Sequence, residues 1–458
     1  MTPLKSSSES KSTTVIGGVT VSAEVHRKAL IFSLFDGIFA NIMLGLVETF
    51  GIAAAVFLKA PAMAIALLGS LPLFLSSLGQ LVIPYITNPE TGRKRYVLRG
   101  TTTQSLFLLC VALSGYLPER IRSWAYVTCF ALYGFSGNVI SGFWIAWMGD
   151  LVPQRVRGRH FAWRNRIFSI TQLICVLIAG IISRRYTTNT AHWSLFATIF
   201  LAASLARFIS SGMIYRQYEP PVAETGNLKR KSSLFDQPRP FLFYCFSAAL
   251  IQGSVALAGP FFNVWYIRDL HFDYFSLSAV TIATVLGTIV SLPFWGKIAD
   301  AFGNRTVIMI TVFLIATVPL PYIASSKPWH IGILNFYTGV CWSGYNLCNF
   351  NYLLAAAGSQ RTEKSVSLAV ATTGIVNFIF SIIGGALATR LPQLFAYRLH
   401  SLFLLSSIMR FIVFGLFIIR YPKYEPETGA SLNRFFQIPG YRAGLGLLRN
   451  TFRAFRAR

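Results

Sequence analysis

The sequence predicts an all-α membrane protein of twelve transmembrane helices, arranged as two pseudo-symmetric six-helix bundles. Three observations lead there: a composition too apolar for a water-soluble chain, twelve apolar segments long enough to cross a bilayer, and a repeat linking the sixth segment to the twelfth. Of the 458 residues, 54% are hydrophobic and 12% charged, where a soluble domain carries about 25% charged residues. Such a chain cannot hide its apolar surface from water, and the surplus calls for lipid.

A membrane-crossing helix needs roughly 20 mostly apolar residues. Segments of that kind lie at 30–57, 61–86, 97–117, 124–148, 161–183, 193–215, 241–267, 275–296, 306–325, 329–356, 365–389 and 399–421. Residues 1–29 form a Ser/Thr-rich cytoplasmic tail. Its apolar stretch from Val15 to Val21 is broken by glycines and is no secretory signal. The first bundle is expected at 30–215 and the second at 241–421. Between them 216–240, with Pro220, Pro221, Lys229, Arg230, Lys231, Pro238 and Pro240, reads as a cytoplasmic linker.

The net charge of +25 is explained by topology. With twelve spans, the two ends and the even-numbered loops share one face. That face collects about 30 of the 41 Lys and Arg, and the other about nine. Positive charge accumulates on the cytoplasmic side, so both termini are expected there, in a multi-pass protein of the plasma (inner) membrane. The same asymmetry argues against nucleic acid as a partner.

The repeat supports two halves of one ancestry. RFISSG begins at Arg207 and RFIVFG at Arg410; each is followed by Tyr-Glu-Pro (Tyr218–Pro220, Tyr424–Pro426) and Glu-Thr-Gly. The tail 422–458 carries Tyr441, Leu445, Leu448, Phe452 and Phe455 at helical spacing beside Arg442, Arg449, Arg453 and Arg456. That pattern fits an amphipathic helix on an anionic leaflet. The six cysteines show no CxxC pairing and read as small apolar residues. No metal or cofactor motif appears, nor HExxH, a P-loop or GxSxG, and no reactive cluster points to an enzyme.

Span eight is followed by Gly296-Lys-Ile-Ala-Asp300-Ala-Phe-Gly303-Asn-Arg305. Here the chain resembles the major facilitator superfamily, whose signature at this place is G-x-x-x-D-x-x-G-x-R. After span four, Asp150, Pro153, Arg157 and Gly158 resemble the superfamily's acid-x-x-Pro-x-x-x-Arg-Gly turn, with Arg164 and Arg166 close by. The resemblance implies a cytoplasmic gate at these residues. The loop after span two keeps Gly92 and a basic cluster but has Pro89 where the aspartate is expected. By the pseudo-symmetry, Asp300 is expected near the start of span five, around Arg164.

Ionisable groups inside a membrane are expensive and are functional candidates by default. Glu48 and Asp36, both in span one, are the intramembrane acids. Glu48 is the deeper; it shares a helical face with Gly37 and Asn41 and is a candidate coupling or substrate group. Asp36, near the cytoplasmic end, is expected to form a structural ion pair. Arg207 and Arg410 either snorkel to the surface or serve as buried partners of a carboxylate. The resemblance implies that spans one, four, seven and ten line a central cavity. Their uncommon groups are Tyr133, Asn138, Trp144 and Trp147 in span four, Gln252, Asn263 and Tyr266 in span seven, and Asn335, Trp342, Asn346 and Asn349 in span ten. Pro260 is expected to kink span seven.

The function implied is secondary transport of a small solute by alternating access, driven by a proton or another cation, by a chain acting as a monomer. An uncoupled facilitator, and a transporter-like receptor or scaffold without flux, remain open at this stage. Proton-coupled drug exporters of the superfamily carry a Gly-Pro motif in span five; residues 172–185 read QLICVLIAGIISRR and lack it.

Overall fold

The computed structural model describes residues 13–16, 19–86, 92–151, 154–184, 192–219, 238–357 and 362–420. It is helical almost throughout. Spans one to six are Ala23–Phe57, Ala62–Ile86, Arg93–Ser114, Glu119–Leu151, Gln154–Ser183 and Trp193–Arg216. Span seven is composite: Arg239–Ala256, then Gly259–Val264 and a π-helical turn, Trp265–Asp269. Span eight is Tyr274–Phe302. Span nine is Asn304–Thr317 continued by Pro319–Ile323. Spans ten to twelve are Pro328–Ala357, Thr362–Arg390 and Arg398–Arg420. Among the described residues, ten of these segments are long and apolar enough to cross a membrane, and spans four and ten complete twelve long helical segments.

The helices exceed the predicted segments mainly at the predicted cytoplasmic face. Span one starts at Ala23, where the Ser22 side chain accepts from the Val25 amide; serine at that position satisfies one of the open amides of a first turn. Spans four and five leave only Val152 and Pro153 between them. Span seven breaks at Leu257-Ala258, and Pro260 stands in the first turn of the new helix, where a missing N–H costs nothing. The predicted kink is a full interruption, so Gln252 and Asn263 do not share one continuous helix face. A short antiparallel pair, Thr13–Ile16 with Val19–Ser22, precedes span one. It corrects the reading of 1–29 as plain tail: Gly17-Gly18 between two β-branched runs is a hairpin signal. The linker 220–237, Thr87–Thr91 after span two, Val152 and Pro153, and the tail from 421 with its amphipathic pattern lie outside the described residues.

Each half packs as a bundle with matching internal bonds. In the first, Ser204 Oγ of span six donates to the Ser105 carbonyl of span three (2.8 Å). In the second, Ser407 Oγ of span twelve donates to the Ala316 carbonyl of span nine (2.6 Å). Spans eight and ten come closest together: a methyl at Gly287 or Gly339 would meet the carbonyl of Phe336 or Thr284. Small residues permit such approach where lipid offers no hydrophobic drive for helix association.

The halves meet along a seam. Ser77 Oγ donates to the Val370 carbonyl (3.1 Å) and Ser381 Oγ to the Ala66 carbonyl (2.7 Å), joining spans two and eleven. The Phe74 and Phe378 rings stack 4.2 Å apart in the same seam. Spans five and eight meet at Gly180 and Ser278, and the Arg184 guanidinium lies 5.6 Å from the Phe275 ring centre. Phe196 of span six packs edge-on against Tyr274 of span eight (5.3 Å). At a rise of 1.5 Å per residue, the span five, six and eight contacts fall within about 10 Å of the predicted outer ends.

Candidate functional site

Besides Glu24 in its first turn, span one carries two acids, Asp36 and Glu48, on different faces, and the fold sends them to different places. Asp36 points into the first bundle and is 3% exposed. Ser210 Oγ donates to Asp36 Oδ1 (2.6 Å), Arg207 Nη1 donates to Ser210 Oγ (3.0 Å), and Arg207 Nη1 stands 4.0 Å from Asp36 Oδ1. Arg207 Nε donates to Gln104 Oε1 (2.7 Å). Arg207 is 8% exposed and Arg410 4%, so neither snorkels to the surface; both are held inside their bundles. The reason is geometric. Each sits well inside its helix, and polar groups of neighbouring spans lie within reach. Arg410 Nη1 donates to the Ile315 carbonyl (3.0 Å).

Glu48 occupies the other face. Its side chain is exposed, and Gln172 Nε2 of span five donates to Glu48 Oε2 (3.3 Å). Tyr133 of span four is buried within electrostatic range of both Glu48 and Arg207. Two turns inward, Asn41 donates to the Gly37 carbonyl of its own helix (2.7 Å).

The residues expected to line a cavity divide into two sets. Asn263, Gln252 and Asn346 have no hydrogen-bond partner among the described residues, and Asn346 is exposed. Unpaired amides in hydrocarbon cost several kcal/mol. Asn138 bonds only its own helix, to the Gly134 carbonyl (3.0 Å), and Trp342 is partly exposed against Tyr345. The second set is committed to packing. Asn335 Nδ2 donates to Tyr266 OH (3.1 Å) and Asn335 Oδ1 accepts from Thr284 (3.2 Å). Asn349 Oδ1 accepts from Tyr244 OH (2.9 Å). Trp147 is fully buried and donates to the Tyr218 carbonyl (3.3 Å). Trp144 packs on Arg164.

The gate residues form no ion pair with one another among the described residues. Arg164 is buried in the first bundle, its guanidinium 4.3 Å from the Trp144 ring centre and 4.4 Å from that of Phe168, donating to the Ser33 carbonyl (3.3 Å). Asp300 is exposed. Neither Asp300 nor Arg305 has an ion-pair partner among the described residues. Among the described residues no ion pair joins Asp300 to Arg164, whose guanidinium is engaged within its own half. Gly303 turns the chain at φ 81°, which side chains other than glycine rarely adopt, and a side chain at Gly296 would meet open space. The side chains of Asp150, Arg157 and Gly158 lie outside the described residues.

Sequence reasoning missed Gln104, Ser210 and Gln172, ordinary polar residues until the fold brings them together. It also missed Glu219, whose Oε1 accepts from the Lys94 amide (2.9 Å) while Lys94 Nζ donates to the Gln217 carbonyl (2.8 Å). Glu219 thus places a carboxylate at the N-terminus of span three, beside the loop that lacks its aspartate. The repeated Tyr-Glu-Pro was the available signal.

The family model described as Major Facilitator Superfamily matches residues 29–255 and 244–455. The multidrug resistance protein MdtG of Proteus mirabilis is 24% identical over 258 residues, 54% of this chain and 60% of that protein. The chain thus spans little more than half the length of this relative. A point mutant of the nucleoside transporter NupG superposes with a TM-score of 0.66 at 14% identity, covering 85% of this chain and 100% of that one. An inward-open structure of the xylose transporter XylE from E. coli gives 0.62 at 13% identity over 89% and 97% of the two chains.

Proposed function

The chain belongs to the major facilitator superfamily, and from that premise we propose that it is a secondary transporter of a small solute working by alternating access. It lies in a plasma membrane with both termini cytoplasmic, closed here on the outer side and open toward the cytoplasm. The observation that carries this reading is the asymmetry of the seam. Spans five, six and eight meet at one end, through Phe196–Tyr274 and Arg184–Phe275, while at the other end no ion pair joins Asp300 to Arg164 among the described residues. Two bundles joined at one mouth and without an ion-pair latch at the other fit one member of a pair of rocking states. Asn346, Gln252 and Asn263 supply unpaired amides to the space between the halves.

Glu48 is the coupling group in this reading. It is an acid in an otherwise apolar stretch, with a neutral amide as its hydrogen-bond partner. A carboxylate so placed takes up a proton from one side and gives it up to the other. Asp36 is tied to Arg207 and has no such freedom.

Counterflow in proteoliposomes over a panel of solutes, with and without a pH gradient, tests both parts. Exchange of a solute that rises above protein-free vesicles supports transport, and accumulation only under the gradient supports coupling. A folded protein that moves none of the panel favours a receptor or scaffold; exchange without accumulation favours an uncoupled facilitator. Among solute classes, lipophilic drugs gain support from the name of the MdtG relative and lose it from the missing Gly-Pro motif in span five.

A further inference from the structure

The two halves match in their packing but not in their charge. Arg207 and Arg410 are repeat equivalents. The bond from Ser204 to Ser105 has its counterpart in that from Ser407 to Ala316. Gln104, which accepts from Arg207, corresponds to Ile315, whose carbonyl accepts from Arg410. The match ends at the acid. Ser210, which bridges Arg207 to Asp36, corresponds to Val413, which is buried and apolar. The acids from 238 to 420 are Asp269, Asp273, Asp300 and Glu363, and each stands at an end of a span.

Arg410 lies twelve residues into span twelve, about 18 Å from its start at 1.5 Å per residue. That is close to the middle of a hydrocarbon core about 30 Å thick. Its Nε is buried without a hydrogen-bond partner, and among the described residues one carbonyl is its single hydrogen-bond acceptor. Tyr322 stands within electrostatic range and reaches Thr338 of span ten at 3.5 Å. Tyr266 and Asn335 continue the polar set. A buried guanidinium with so little compensation is costly in a membrane, and an anion brought by another molecule would supply the compensation.

We propose that Arg410, with Tyr322 and Thr338, forms an anion subsite, and that the solute carried is an organic anion whose carboxylate or similar group takes the place that Asp36 fills in the first half. The inference rests on the transporter reading and adds the charge of the solute to it. Guanidinium pairs with such groups by charge-assisted and often bidentate hydrogen bonds, which ties the site to anions rather than to neutral isosteres.

The test is binding to the purified full-length protein in detergent, read by thermal stabilisation and tryptophan fluorescence. The probes are matched pairs: acetate with acetamide, benzoate with benzamide, and benzenesulfonate with benzenesulfonamide. At least one acid should bind saturably and its neutral partner at least about tenfold more weakly. Arg410→Gln should remove that preference and Arg410→Lys should retain part of it. Val413→Asp, which sets a carboxylate one helical turn from Arg410, should abolish anion binding with Arg410 still present. Should the variants fail to fold, the acid–amide comparison on the wild-type protein decides alone. Binding of no anion, or equal binding of acid and amide, overturns the inference. If neutral solutes exchange in vesicles while no anion binds, the subsite is wrong and transport stands. If nothing exchanges, the transporter reading itself has failed.

Discussion

Asp36 and Arg207 stand 4.0 Å apart inside the first bundle, with the Ser210 hydroxyl between them and both side chains shielded from solvent. Removing one partner of a buried pair leaves an uncompensated charge, typically worth about 3–5 kcal/mol. Asp36→Asn is therefore expected to lower the thermal stability of the purified protein sharply. The double variant Asp36→Asn with Arg207→Gln should recover part of the loss. Melting curves for the four proteins of that cycle give the coupling directly; additive losses would mean that the two residues do not act as a pair.

Glu48→Gln keeps the size of the side chain and its contact with Gln172 while removing the titrating group. Accumulation under a pH gradient should vanish and solute exchange should persist. Measured in the same vesicles, normal accumulation by this variant would show that coupling lies elsewhere.

Asp300 is exposed here, so Asp300→Asn should leave the melting temperature of this state nearly unchanged; surface changes typically fall within about 0.5 kcal/mol. Its effect is expected on the cytoplasm-closed state, where the gate would meet the start of span five. Slowed exchange at unchanged stability is the predicted result. An unchanged exchange rate would assign Asp300 to the turn alone.

Gly385, near the outer end of span eleven, packs so closely on the start of span two that an added methyl would lie 2.8 Å from Ala66 Cβ and 3.4 Å from the Ala62 carbonyl. Gly385→Val should wedge the outer end of the seam apart. A membrane-impermeant thiol reagent added from outside should then label an Asn263→Cys variant faster than it does with Gly385 in place. Equal labelling rates would mean that the seam does not limit outer access.

Much of this architecture was legible because its physics is local. Apolar length marked the spans, and Pro260 the interruption of span seven. The Arg207–Arg410 repeat pointed to the two bundles. What escaped depends on neighbours distant in sequence. Arg207 could be read as a surface-seeking side chain until span three brought Gln104 and span six brought Ser210 against Asp36. Trp147 and Tyr133 shared a predicted cavity face, yet Trp147 is packed against Ile214 and Tyr218, since a helix face shows which residues lie together and not what covers them. Gln172 carries no charge to mark it, and its role is defined by Glu48 across 124 positions of chain.

The central claim, that the two bundles must part at their joined end for solute to cross, is tested most directly by locking that end. A Cβ built at Gly385 lies 2.8 Å from Ala66 Cβ, closer than the roughly 3.5–4.5 Å that a disulfide spans, so the bridge forms once the two helices ease apart by about 1 Å. In a background without the six native cysteines, Ala66→Cys with Gly385→Cys can be oxidised and reduced in proteoliposomes. Counterflow of the solute returned by the panel should stop on oxidation and resume on reduction. Undiminished counterflow through the fully cross-linked protein would contradict alternating access across this seam.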